Sequence, residues 1–142
     1  MVILVVEDDR MLRRATERAL VKAGYEVIAI GDGENALRVA GGERTPDLIL
    51  LDMMLPALSG LRLLQCLKQD ARTQQIPVVV LSGLSHKNEA KLAKEGAAGY
   101  LEKSDELFRN NAALLLQAID QALANVGDRR LAPGVARLAS LA

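Results

Sequence analysis

A lone cysteine, a lone histidine and the absence of net charge remove several chemistries from this sequence at the outset. Cys66 has no partner for an intramolecular disulfide and cannot anchor a thiolate metal cluster; its setting in LLQCLKQ is that of a packed helix position. His86 is the only imidazole, so nothing resembles a zinc site. Eighteen basic residues balance eighteen acidic ones, which leaves no positive field to drive nonspecific binding to nucleic acid or anionic membrane. The apolar runs fall far short of the ~20 residues that span a bilayer, and no basic-then-apolar leader opens the chain. The expectation is a soluble, cytoplasmic protein without direct nucleic-acid or membrane contact. Internal repeats and low-complexity tracts are also missing.

What is present is an alternation. Half of the 142 residues are apolar, enough to enclose one core in a domain of ordinary size. VILVV (2–6), YEVIAI (25–30), DLILLD (47–52), IPVVVLSG (76–83) and AAGYLEK (97–103) read as strands, each followed by a segment of helical period. Gly24, Gly41, Gly42 and Gly96 stand where helices should stop, while Asp32 and Ser59 stand where they should start. A polar helix is expected from about Ser85 to Glu95, and a long last helix from about Ser104 to Val126, with Ser104 as its cap. Nearly continuous Val, Ile and Leu suit a parallel sheet covered on both faces, and short links force crossovers. The fold class is a doubly wound α/β sandwich, in which ligands bind outside the carboxyl ends of the strands.

Collected at those ends are Glu7, Asp8 and Asp9 after the first strand, Asp52 on the third, Ser82 on the fourth, and Glu102 and Lys103 on the fifth. At ~4 Å and an effective dielectric near 20, each carboxylate pair repels by roughly 4 kcal/mol. A cluster of acids therefore calls for a counter-charge. Mg²⁺ suits it, because that ion takes oxygen ligands and keeps several waters. A carboxylate beside the ion can attack a phosphoryl group and become an aspartyl phosphate, with Lys103 pairing the new charge and the Ser82 hydroxyl bonding a phosphoryl oxygen. Asp9 reads as a helix cap rather than a ligand.

ILVVEDD, DLILLDMMLPALSG, IPVVVLSG and GAAGYLEKS, in that order and at those separations, resemble the signature segments of bacterial response-regulator receiver domains over residues 1–126. The resemblance implies a flavodoxin-like five-stranded parallel sheet of order 2-1-3-4-5. It implies that Glu7 and Asp8 hold Mg²⁺ with Asp52, that Asp52 is the phosphoacceptor and that the Met54 carbonyl is a further metal ligand. It also implies that Ser82 is the switch hydroxyl and Lys103 the site lysine, with Tyr100 the aromatic that follows the switch. Pro56 and Gly60 match the loop proline and glycine. The partners implied are a sensor histidine kinase as phosphodonor and a downstream protein target met by the fourth helix, fifth strand and fifth helix. The chain would be a regulatory phosphoacceptor, catalysing only its own phosphorylation and dephosphorylation.

One departure stands out: the family usually has Lys-Pro, commonly cis, where this chain has Lys103-Ser104. A non-proline cis bond costs ~2.5–4 kcal/mol against ~1 for proline, which favours a trans peptide here. The last helix has a stripe through Phe108, Ala112, Leu115, Ile119, Ala122 and Val126, with Leu107, Leu114, Leu116 and Leu123 partly off it. Either these leucines widen the core face or they form a homodimer contact. Residues 127–142 read as a tail that is mobile or docks on a partner, and they are too few for a DNA-binding module. Met1 and the tail favour a single-domain regulator over a fragment. The rival from another class is a haloacid-dehalogenase-like phosphohydrolase, whose second acid would stand at Met54. A third reading is a vestigial receiver acting as a protein-binding adaptor. A flavodoxin-like cofactor binder lacks its phosphate loop after the first strand.

Overall fold

The computed structural model describes residues 1–55, 59–83 and 89–130, with side chains described through residue 125. Expectations for Pro56, His86, the start of the polar helix at 85–88, the Val126 side chain and the chain from residue 131 fall outside that set. The elements run β1 (Val2–Val6), α1 (Arg10–Lys22), β2 (Glu26–Ile30), α2 (Gly33–Ala40), β3 (Leu48–Asp52), α3 (Gly60–Gln69), β4 (Val78–Ser82), α4 (Glu89–Lys94), β5 (Gly99–Glu102) and α5 (Arg109–Arg130). All strand pairs are parallel and the order is β2-β1-β3-β4-β5, as expected.

Because strand side chains alternate between faces, each central strand feeds two cores. Leu4, Val6, Ile49, Leu51, Val78 and Val80 pack under α2, α3 and α4. Ile3, Val5, Leu48, Leu50, Val79 and Leu81 pack against α1 and α5 on the opposite face. This double burial explains why the strands read as unbroken apolar runs rather than alternating ones. The helix starts also follow the sequence: Asp9, Asp32 and Ser59 each accept hydrogen bonds from first-turn backbone N–H groups. Gly24 and Gly96, at φ +100° and +102°, turn the chain after α1 and α4.

The last helix corrects the expectation. Asp105–Phe108 is a separate 3₁₀ turn, and Asn110, Asn111 and Ala112 are left-handed, with φ of 53°, 58° and 61°. Ser104 makes no side-chain cap bond; its carbonyl instead accepts from Leu107 N at 3.1 Å, which closes the 3₁₀ turn. The interruption shifts the phase of the apolar stripe, so that Leu107 is buried and Phe108 only half-buried. Among the leucines placed off the stripe, Leu116 and Leu123 are half-buried and Leu114 is exposed.

Candidate phosphoacceptor site

Asp52 closes β3 at the carboxyl edge and is 1% exposed, as is Glu7, which follows β1 directly. The backbone brings the other groups to them. Met53 N donates to Leu81 O on β4, and Lys103 N donates to Ser82 O at 2.8 Å, so the pairing of β4 with β5 carries on one residue past the strand. Asp52, Ser82 and Lys103 thereby arrive on one rim. No cis peptide bond occurs among the described residues, so Lys103–Ser104 is trans and still delivers the lysine.

The Lys103 ammonium lies 2.9 Å from Asp52 Oδ1 and 3.2 Å from each oxygen of Glu7. Asp52 Oδ1 also accepts from Met54 N at 3.1 Å. Among the described residues, Asp52 Oδ2 accepts no hydrogen bond, and Glu7 Oε2 has only the ion pair to Lys103. Burial, and then the neighbouring Asp52 carboxylate, push the Glu7 carboxyl up to about 7; the lysine opposes this only in part. Burial works against the charge on Lys103, and the contacts to Asp52 and Glu7 outweigh it, so its pKa is raised.

Single carboxylate oxygens of Glu7, Asp8 and Asp52 lie within 4.8 Å of one another. Asp8 is exposed, so the cluster opens to solvent on one side. Hard oxygen donors, an open side and a buried Asp52 Oδ2 that accepts no hydrogen bond among the described residues are what a divalent cation of the Mg²⁺ type requires, and the residues fit that ion. Met54 is 65% exposed at the rim. Ser82 is buried at the tip of β4, and Tyr100 is half-buried against the core on the α4 side of the sheet.

Arg13 and Gly31 were not read from the sequence. Arg13, on the first turn of α1, donates from Nη1 to Glu7 O at 3.0 Å and bridges back to the acidic turn. Gly31 leaves room for it, since a Cβ there would stand 2.8 Å from the same nitrogen. A cation one turn into the helix after an acidic pair was the only available signal. Gly60 has a firmer role: a Cβ on it would meet Asp52 O and Met53 Cα, each at 2.5 Å. The start of α3 is thus pressed onto the tip of β3.

An acid cluster and a lysine on the carboxyl edge of a 2-1-3-4-5 parallel sheet define a receiver-type site. The family model for the response regulator receiver domain matches residues 3–119, and the chain belongs to that family. It is 33% identical over 102 residues to the polar-differentiation response regulator DivK of Brucella anthropi, covering 71% of this chain and 82% of that protein. It is 38% identical over 102 residues to the phosphate regulon transcriptional regulatory protein PhoB of Pseudomonas aeruginosa, covering 71% of this chain and 44% of that one. Of the probable transcriptional regulator ycf27 of Porphyridium aerugineum the chain spans 51%, and of the transcriptional activator PfeR of Pseudomonas aeruginosa 35%. Among solved structures, a response regulator receiver domain protein of Clostridium thermocellum superposes with a TM-score of 0.74 at 30% identity, over 87% of this chain and 94% of that one. The chemotaxis response regulator CheY4 of Vibrio cholerae gives 0.75 at 25% identity, over 85% and 97%. No helix among the described residues is long and apolar enough to cross a membrane.

Proposed function

We propose that the chain is the phosphoacceptor of a two-component phosphorelay, taking a phosphoryl group from a phosphohistidine of a sensor histidine kinase onto Asp52. The observation that carries this reading is the buried Asp52 Oδ2, which accepts no hydrogen bond among the described residues while Oδ1 is held by Lys103 and Met54 N. Oδ2 is the nucleophile: its lone pair forms the O–P bond as the P–N bond to the imidazole breaks, and the leaving nitrogen keeps that electron pair. Glu7, Asp8 and Asp52 would hold Mg²⁺, with the Met54 carbonyl as a further oxygen ligand. Bound there, the ion supplies charge neutralisation for the phosphoryl oxygens.

Lys103 pairs with the added charge and the Ser82 hydroxyl donates to a phosphoryl oxygen. The rearrangement of Ser82, with Tyr100 following, biases the α4-β5-α5 surface that meets a downstream protein. A shift from 1:99 to 99:1 needs about 5.5 kcal/mol of preference, within reach of several charge-assisted contacts. The partners in this reading are cytoplasmic proteins, and the domain itself contacts neither nucleic acid nor membrane. Self-association through α5 belongs to it as well, supported by Leu114, which is 45% exposed; a monomer in sedimentation at high concentration, with and without beryllofluoride, removes that part.

Asp52→Asn is expected to abolish Mg²⁺-dependent labelling by acetyl phosphate. Retained labelling moves the acceptor elsewhere. Steady turnover of phosphate esters would favour the hydrolase, whose second acid is replaced here by Met54, and absence of Mg²⁺ binding in titration would favour the adaptor.

A further inference from the structure

The turn that carries the acidic residues is tied down at both ends. Glu7 N donates to Ile30 O at 3.0 Å, which fixes the turn from the β2 side, and Asp9 caps α1 at the other end. Asp8 lies between them and differs from the other two carboxylates of the cluster. Glu7 and Asp52 are buried and share the Lys103 ammonium, whereas no hydrogen bond or ion pair among the described residues engages the exposed Asp8 carboxylate. Where that carboxylate stands therefore depends on the backbone at Asp8.

Arg13 acts on that backbone. Its Nη1 donates to Glu7 O at 3.0 Å and lies 3.5 Å from Asp8 O, the oxygens of the two peptide groups that flank the Asp8 Cα. Two planar peptides joined at one Cα have only φ and ψ between them, so a single nitrogen touching both oxygens restricts both angles. The first contact is a charge-assisted hydrogen bond of good length, the second a long one. The guanidinium is itself placed from two sides. Arg13 N donates to Asp9 O at 2.8 Å, which sets the root of the side chain. Gly31, one residue past β2, leaves the space that the far end occupies, since a Cβ there would stand 2.8 Å from Nη1. Arg13 is half-buried, so the bond is partly shielded from water.

We propose that Arg13 is a positioning residue for the metal pocket: by holding the carbonyls of Glu7 and Asp8 it aims the Asp8 carboxylate at the centre shared with Glu7 and Asp52, and Gly31 is the recess that lets it do so. That role deepens, and rests on, the reading of Asp52 as a Mg²⁺-dependent phosphoacceptor. Charge and geometry predict opposite signs for it. A cation beside an acid cluster repels Mg²⁺, so on charge alone the removal of Arg13 tightens the ion. Positioning predicts the reverse, because groups that orient a metal ligand are worth about tenfold or more in metal affinity.

The test is isothermal titration of Mg²⁺ into the full chain and its variants, with urea unfolding in EDTA to show that each is folded. Arg13→Ala should weaken the ion by about tenfold, and Arg13→Lys, which keeps a charged donor, should recover part of the loss. Arg14→Ala removes the same charge from the next position, which is exposed and makes no hydrogen bond or ion pair among the described residues; its affinity should match the native value or slightly exceed it. Gly31→Ala meets first the far end of a flexible side chain, so it should leave folding intact and still weaken the ion. Added to Arg13→Ala it should do nothing more, whereas independent effects would multiply. Native or tighter binding by Arg13→Ala, an equal loss in Arg14→Ala, no recovery with Arg13→Lys, or a multiplied loss in the double variant would each overturn the assignment. A native chain that binds no Mg²⁺ removes the phosphoacceptor reading as well; native binding beside an unchanged Arg13→Ala removes the role of Arg13 alone.

Discussion

Lys103 Nζ sits 2.9 Å from Asp52 Oδ1, and the same ammonium reaches Glu7, so one cation holds together two carboxylates that burial and mutual repulsion would separate. Removing one partner of a fully buried pair costs about 3–5 kcal/mol. The lysine is 24% exposed, and solvent screening lowers that figure. Lys103→Met is therefore expected to destabilise by about 2 kcal/mol at pH 8 without divalent ions. The loss should shrink at pH 6, where Glu7 is protonated, and with Mg²⁺ present. Urea unfolding under the three conditions checks it; an equal loss in all three would mean that lost packing, not charge, dominates.

Glu7 gives stability its own pH signature. Its folded pKa, about 7, lies above the ordinary 4.5, so between these values the folded state holds a proton that the unfolded state has released. Stability from this group is fully present below about pH 4.5 and is lost as pH rises through 7, by up to about 3 kcal/mol. The difference in unfolding free energy between the native chain and Glu7→Gln, followed from pH 5 to 8 in EDTA, should move against the native chain. A cation that favours ionised Glu7 should flatten the trend, and a flat difference in EDTA would place this carboxyl near its ordinary value.

The contact of Gly60 with the β3 tip is steric and rigid, since the atoms a Cβ would meet are backbone. Gly60→Ala should cost about 1–3 kcal/mol and lower the rate of Asp52 labelling, because the displaced atoms carry the acceptor. Gly83→Ala is the control, with nothing among the described residues within 4 Å of its Cβ position. Similar melting temperatures for the two variants would remove Gly60 from the site's framework.

Local chemistry explains which features could be read before the structure. The strands were readable because each must serve two cores, leaving no polar position between Leu48 and Leu51. Asp52 stood out because it breaks that rule at the strand end. The interruption of α5 was hidden, since Leu115, Ile119 and Ala122 keep a regular helical period and dominate the pattern. Its signal was the pair Asn110-Asn111, the residue type that most tolerates left-handed backbone after glycine. Arg13 was hidden for another reason: it binds a carbonyl, and backbone acceptors carry no sequence signal.

Asp8 and Asp9 are adjacent acids with separable roles. Asp8 joins Glu7 and Asp52 within ligand distance of a common centre, whereas Asp9 Oδ1 accepts from Met11 N at 2.9 Å and Leu12 N at 3.1 Å and caps α1. Loss of a cap costs about 0.5–2 kcal/mol, while an exposed acid with no cap bond contributes little to folding. Asp9→Ala should therefore lower the unfolding free energy by about 1 kcal/mol and leave Mg²⁺ affinity nearly unchanged. Asp8→Ala should do the reverse, weakening Mg²⁺ by about tenfold or more for the loss of one charged ligand, with stability in EDTA unaltered. Isothermal titration and urea unfolding on the two variants separate these effects. If Asp9→Ala weakened the ion as much as Asp8→Ala, the second acid would be a ligand in solution and the cap a secondary role.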